Sequence, residues 1–315
     1  MAAQAVGITT QIKNNGITRS PETHRMLSYL PLAHAFERGS VEAASLLSGF
    51  QIFFPYSLVT FVDDLKRAKP TVFISVPRLW LKFQIGILKS MPDKKLQRLL
   101  KVPLLSRYIK KKILYSLGLG SVEMAVSGSA PIPKALLKWY RRLGLELLEG
   151  YAQSENFNYS HLSLPGHNRV GYVGNTLPDV DLRFNEEGEI QIKSPANMLG
   201  YYKDETKTKE TITHDGFIRT GDKGEIDKQG RLRITGRLKE IFKTSKGKYI
   251  APAMLENLLN SDPLIELSCV SGSGLAQPFA LVMLADELQI QINNEVKSGP
   301  VHLETEQWLK FLLSK

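Results

Sequence analysis

Four short loop-like stretches combine glycine with serine or threonine, and three of them add acidic or basic residues. SGSAP (127–131) follows a run with the character of a buried strand. Its small side chains let backbone amides and hydroxyls approach a ligand closely. EGYAQSE (149–155) puts an aromatic face at Tyr151, a hydroxyl at Ser154 and a carboxylate at Glu155 within one short turn. That trio can stack a base, hydrogen-bond a phosphate and offer oxygen to Mg2+, a hard cation. RTGD (219–222) reads as a tight turn ending in Asp222, a carboxylate suited to two vicinal ribose hydroxyls. GRLKEIFKTSKGKYIAP (236–252) adds Arg237, whose guanidinium makes forked hydrogen bonds, and a Lys-rich loop around Gly247. Each stretch alone is also what an ordinary turn or cap looks like. Their joint occurrence, in this order, points to ligand chemistry.

Other site chemistries are excluded by spacing. A dinucleotide GxGxxG fails because Gly118 and Gly120 are followed by Glu123 at the third glycine position. The GxxxxGK[ST] loop fails because Gly247-Lys248 is followed by Tyr249. Neither HExxH, nor a metal-spaced histidine cluster, nor a GxSxG elbow occurs.

The loops need a frame, and the sequence between them supplies one. FVDDLKRA (61–68) has helical spacing and stops before Pro70. TVFISV (71–76) is β-branched and apolar and reads as a buried strand. Pro77 opens a helix to about Leu88, and another helix runs from Pro133 to Arg142. VEMAV (122–126) and LELLE (145–149) are further strands, and QIFF (51–54) a shorter one. Ser40 is expected to cap a helix reaching about Leu47, with Glu42 in its first turn. Strands alternating with helices imply crossover connections and a largely parallel sheet, an α/β fold. After Gly171 the texture changes. DVDLRF (179–184), GEIQIK (188–193) and GRLRITG (230–236) alternate polar and apolar residues, as antiparallel strands with one wet face do. A helix from Pro252 to Asn260 and strands near 264–270 and 279–284 follow, then an amphipathic piece at 304–313. The first twenty residues show little periodicity and read as an irregular arm.

The chain has 315 residues, enough for about two domains, with 43% hydrophobic and 23% charged residues. That excludes fibrous, low-complexity and wholly disordered classes. Lys and Arg number 41 against 31 Asp and Glu, a net charge of +10. Eight of those cations lie between Lys94 and Gly120, with no acid among them and leucines and isoleucines between. A basic amphipathic helix pair of this kind makes an anionic membrane surface a candidate partner, besides being compatible with a plain solvated face. Nucleic acid is not expected, because aromatic residues are too sparse here for base stacking. The most apolar run, Leu46–Val62, is broken by Gly49, Gln51 and Pro55 and is short for a membrane span. No secretory signal pattern opens the sequence. The single cysteine, Cys269, fits a reducing compartment, so a cytoplasmic setting, peripheral to a membrane at most, is expected.

Taken together, the motifs resemble the adenylate-forming (AMP-binding) superfamily, and within it the long-chain acyl-CoA synthetases. SYLPLAHAFERG (28–39) resembles that group's acyl-pocket motif, SGSAPIP its adenine-side loop, and EGYAQSE its Tyr-Gly-x-Thr-Glu motif. Residues 188–210 and GFIRTGD (216–222) resemble the ribose-aspartate region, and 236–256 the hinge and the start of a mobile lid. The match spans about residues 27–285.

The resemblance implies a partial adenylation core over 27–236, preceded by the arm at 1–26, and an incomplete C-terminal lid over 237–315. The core it implies is a mostly parallel sheet with helices, followed by an antiparallel subdomain. It also implies a ligase reaction in two steps: a long-chain fatty acid and ATP give acyl-AMP, and CoA then displaces AMP. Tyr151 is then expected to stack on adenine, Ser154 to contact the α-phosphate and Glu155 to bind Mg2+. Asp222 and Arg237 are expected to hold the ribose. Gly128, Ser129 and Ala130 would line the adenine side, His34 would lie by the substrate carboxylate, Lys239 at the hinge and Gly247 on the path of CoA. Ala152 departs from the motif's glycine. Neither the family's Gly/Ser/Thr-rich phosphate loop nor its late lysine is reproduced, which implies impaired activation. A non-catalytic nucleotide- or acyl-binding role and an acyl-AMP ligase are the alternatives.

Overall fold

The computed structural model describes residues 2–14, 23–260, 262 and 264–284. The expectation at 304–313 lies outside them. In chain order the first half consists of α1 (Ala2–Asn14), β1 (Arg25–Leu27), α2 (Ala35–Glu37), a π-helical stretch (Arg38–Ala43), α3 (Ala44–Ser48), β2 (Gln51–Phe53), α4 (Phe61–Ala68), β3 (Val72–Ser75), α5 (Pro77–Ser90), α6 (Asp93–Leu100), α7 (Pro103–Ser116), β4 (Met124–Ser127), α8 (Lys134–Arg142) and β5 (Leu147–Tyr151). The second half adds β6 (His161–Leu162), β7 (Asn175–Thr176), β8 (Asp181–Phe184), β9 (Glu189–Lys193), α9 (Glu205–Thr211), β10 (Ile218–Ile226), β11 (Leu232–Arg237), β12 (Phe242–Lys243), β13 (Tyr249–Ile250), α10 (Pro252–Leu259), β14 (Ile265–Ser271) and β15 (Phe279–Leu284). Among the described residues no helix is long and apolar enough to cross a membrane.

The principal sheet has the order β3-β4-β5-β6-β7. Its first three strands are parallel, and β6 and β7 continue it antiparallel. Side chains alternate between its faces, so neighbours in sequence enter different cores. Phe73, Ala125 and Leu147 point into the cluster with Trp80, Ile113 and Trp139. Val72, Met124, Val126 and Leu148 join Met26, Val41 and Phe50 on the other side. A sheet buried on both faces needs apolar residues at successive positions, which is why TVFISV shows no alternation. Trp80 and Trp139 are core residues, and the Tyr140 hydroxyl donates to the Trp80 carbonyl at 2.7 Å.

The second sheet has the order β11-β10-β9-β8 and is antiparallel throughout. Ile190, Ile192 and Leu232 form its core with Tyr159, Leu177 and Val180. It abuts the principal sheet through backbone: Val173 N–H donates to the Leu232 carbonyl, and Leu232 N–H to that of Gly174, both at 2.8 Å.

Three expectations need correction. Within the stretch 1–26, expected to be an irregular arm, the described residues are ordered: Ala2–Asn14 is helical and β1, which opens at Arg25, is a strand paired in parallel with β2. Ser40 is not an N-cap. It is buried inside the helical run, where its hydroxyl accepts from Gln4 Nε2 at 3.3 Å. His34 caps instead, its Nδ1 accepting from Phe36 N–H. RTGD is not a free tight turn either. It lies within β10, where pairing with β9 shifts register between Arg219 and Lys223.

Candidate adenosine-handling site

The bulge in β10 aims a carboxylate. Gly221 takes φ +69°, a left-handed conformation natural to glycine, and its N–H donates to Glu189 Oε1. Asp222 follows, its own N–H held by Thr220 Oγ1 at 3.1 Å. In the β10–β11 register Asp222 faces Arg237. Arg237 Nε donates to Asp222 Oδ1 at 3.0 Å, while its side chain stays 60% exposed.

The principal sheet brings the other half. β4 and β5 are parallel neighbours, so the segments leaving their carboxyl ends lie side by side, where open α/β sheets place ligands. From the end of β5, the Tyr151 hydroxyl donates to Asp222 Oδ2 at 2.7 Å, and Gln153 Nε2 donates to the same oxygen at 2.9 Å. Three donors from two sheets thus converge on one carboxylate that is only 3% exposed. Burial, then the Asp222 charge, holds the Tyr151 hydroxyl well above its ordinary range, so it remains a donor at neutral pH.

The ring of Tyr151 lines a cavity with Gly128, Ser129, Ala152, Phe36 and His161. A side chain on Gly128 would come within 3.7 Å of the Gly150 carbonyl and 3.9 Å of the Phe36 ring. Both are ordinary contact distances, so this wall tolerates a Cβ. Ala130 is exposed just beyond it, and Ala152 stands at the motif's glycine position without positive φ.

Glu155 sits four residues after Tyr151, in the 3₁₀ turn Ser154–Asn156. Its Oε1 accepts from the Tyr201 hydroxyl at 2.8 Å, and its carbonyl from Met198 N–H at 2.7 Å. Burial, together with that bond to Glu155, raises Tyr201. Oε2 has no such bond among the described residues. No group of three or more His, Cys, Asp or Glu able to hold a metal occurs among them. One free carboxylate oxygen nevertheless fits Mg2+, which is usually held by one or two carboxylates, water and substrate phosphates. Ser154 is exposed at the start of the turn, as its expected phosphate contact requires.

Tyr151, Asp222 and Arg237 are therefore in one bonded group, with Glu155 on the same loop. His34, Lys239 and Gly247 are not bonded to that group among the described residues. His34 is exposed, and its link to the site is Phe36, two residues on. Lys239 is exposed in the turn after β11. Gly247, with φ +81°, forms the turn between β12 and β13. Sequence reading missed Gln153, Tyr201 and His161. Gln153 lies inside EGYAQSE, where a second polar side chain was the available signal. His161 is paired in register with Tyr151, and its Nδ1 lies 2.7 Å from Ser160 Oγ. Burial depresses it to about 3, so it is a neutral wall of the cavity.

Beneath the loop, Glu149 is buried and accepts from Gly171 N–H at 3.1 Å. Burial, partly offset by that bond and by Lys134, raises its carboxyl from 4.5 to about 7. The folded protein then binds this proton more tightly than the unfolded chain does. Its stabilising contribution is complete at acid pH and is lost as pH rises through about 7. Glu149→Gln is accordingly expected to be more stable than the parent at about pH 8, by about 2–4 kcal/mol, with the advantage vanishing near pH 4. Urea unfolding at both pH values checks this, and a pH-independent difference would count against it.

The family of AMP-binding enzymes matches residues 1–202. Human long-chain-fatty-acid–CoA ligase 1 is 35% identical over 87% of this chain and 43% of its own length. The ligase FadD15 of Mycobacterium tuberculosis is 34% identical over 84% of this chain and 48% of its own. The chain thus spans under half the length of these relatives. Among solved structures, an ATP-bound RpMatB–BxBclM chimera has a TM-score of 0.66 at 26% identity, covering 90% of this chain and 54% of that one. O-succinylbenzoate CoA synthetase from Bacillus subtilis, in complex with AMP, shares the fold with a TM-score of 0.69 at 21% identity, over 91% and 56%. By sequence and by fold, this chain belongs to the family of AMP-binding enzymes.

Proposed function

We propose that the chain handles an acyl-adenylate within a long-chain fatty acid–CoA ligase reaction. The observation that carries this reading is the convergence of Tyr151, Gln153 and Arg237 on Asp222 from two different sheets. In the first step a fatty carboxylate oxygen bonds to the α-phosphorus of ATP as the bond to pyrophosphate breaks. In the second the CoA thiolate bonds to the acyl carbon and AMP leaves. Neither step needs a protein nucleophile, so positioning and charge compensation must supply the acceleration.

In this reading Asp222 accepts from the two ribose hydroxyls, which take the place of the Tyr151 and Gln153 donors, and the exposed Arg237 guanidinium follows the ribose. Tyr151 offers its ring face to adenine along the wall set by Gly128, Ser129 and Ala130. Ser154 contacts the α-phosphate, and Glu155, steadied by Tyr201, holds Mg2+. When bound, that ion neutralises phosphate charge. His34 lies toward the acid substrate, Lys239 at the hinge and Gly247 on the CoA side. The names of the similar ligases support the long-chain acid as substrate.

The 315 residues reproduce neither a Gly/Ser/Thr-rich phosphate loop nor the late lysine. Loss of such phosphate contacts costs about 100-fold or more in rate. AMP and a non-hydrolysable acyl-AMP analogue are therefore expected to bind in calorimetric titration. Palmitate-dependent pyrophosphate release by this chain is expected to be at least ~100-fold below that of a full-length relative. Failure to bind either adenylate overturns the reading; turnover at the relative's rate overturns the impairment.

A further inference from the structure

Helix α7 has two apolar faces, and only one is used by the core. Ile109 and Ile113 are buried in the main cluster, alongside Leu96 of α6. On the opposite side, Leu104 is 88%, Tyr108 63% and Tyr115 51% exposed. At about 100° per residue, these three fall within an arc of about 40°. Arg107, Lys111 and Lys112 flank them and are all exposed. Lys111 Nζ lies 5.6 Å from the centre of the Tyr115 ring.

The cations here are uncompensated. None of the eight Lys and Arg residues between 94 and 120 pairs with an acid among the described residues. The nearest acid in sequence, Asp93, is engaged by Gln97 and by Arg142 at 3.8 Å. The outer face of α7 thus carries an apolar crest with basic flanks, while its inner face is held in the core.

We propose that the outer face of α6–α7 docks on an anionic lipid membrane, with Leu104, Tyr108 and Tyr115 entering the headgroup region and the flanking cations meeting lipid phosphates. Charge alone would suit nucleic acid or an acidic protein. Neither rewards a bare leucine at the crest of the basic face, whereas an interfacial helix buries its apolar side about 5–10 Å into the headgroup and acyl boundary. Tyrosine is enriched at that depth, and long basic side chains reach outward from it to the headgroups. The ligase reading does not enter this argument, so either proposal can fail without the other.

The test is sedimentation of the whole chain with vesicles of phosphatidylcholine alone, and with vesicles containing about 30% phosphatidylserine. Binding is expected only to the anionic vesicles, and to weaken with added salt. Each basic residue near such a surface contributes about a factor of five in partitioning, so Lys111→Glu with Lys112→Glu is expected to lower it at least ~25-fold. Leu104→Ser with Tyr108→Ser is expected to lower it as well, while leaving the salt dependence in place. All four positions are exposed, so circular dichroism melts of both variants should match the parent. Equal binding to neutral vesicles, or an unchanged partition in the charge-reversed variant, overturns the proposal. So does a serine variant that binds as the parent does, since that marks purely ionic attraction of the kind an acidic protein would exploit.

Discussion

Asp222→Asn is expected to lower AMP affinity at least ~100-fold while leaving the fold in place. Two ribose hydroxyls donating to one carboxylate are charge-assisted bonds worth about 1.5–3 kcal/mol each, and every 1.4 kcal/mol is tenfold in affinity. Asparagine keeps the shape and one oxygen acceptor but brings two N–H donors into a group that already contains three. It also removes the partner of Arg237 Nε, now at 3.0 Å. Asp222→Ala goes further. It strips the acceptor from Tyr151, Gln153 and Arg237 together, and an unsatisfied, largely buried donor costs about 1–3 kcal/mol. The alanine variant should therefore lose stability as well as affinity, and the asparagine variant mainly affinity. Calorimetric titration with AMP, paired with urea unfolding, separates the two effects. An asparagine variant that binds AMP as tightly as the parent would remove Asp222 from the proposed site.

The elements of this fold were legible wherever a local pattern decided them. FVDDLKRA became α4 over the same residues, and Pro77 does open α5. What failed was decided at a distance. His34 and Ser40 both have side chains able to cap the same helical run. Packing against α1 puts Ser40 inside the helix beside Gln4, a residue far upstream that no local window contains. IRTGDKGEI carries turn chemistry and little apolar alternation, yet it is a strand because β9 and β11 bond it on both sides. The site followed the same rule. Tyr151, Asp222 and Arg237 were visible as residue types, but Gln153 and Tyr201 matter only through partners 69 and 46 positions away. The exposed crest of α7 was hidden differently. Its sequence shows a basic helix with apolar residues, and only the fold tells which of those residues the core takes.

The dependence of the site on two sheets makes Gly174 the position where a single methyl group should do most damage. Gly174 has φ +88°, and a Cβ built there falls 2.1 Å from the Leu162 carbonyl oxygen and 2.3 Å from Ser163 N. Both are backbone atoms, so no rotamer change can relieve the overlap. The left-handed conformation costs a non-glycine residue about 1–2 kcal/mol, and overpacking typically adds about 1–3 kcal/mol. Gly174→Ala is thus expected to destabilise the protein by about 2–5 kcal/mol. The residue that must move carries the carbonyl bonded to Leu232 N–H, the junction between the sheet that bears Tyr151 and the sheet that bears Asp222. Displacing it should open the Tyr151–Asp222 contact even in molecules that stay folded. Below its melting temperature, then, the variant should bind AMP more weakly than the parent. By contrast Gly144→Ala, where φ is +87° but a Cβ meets nothing within 4 Å, should show the backbone cost alone and normal binding. If the two variants melt alike, the clash at Gly174 is relieved by a movement too small to reach the site, and the two halves are not coupled through this junction.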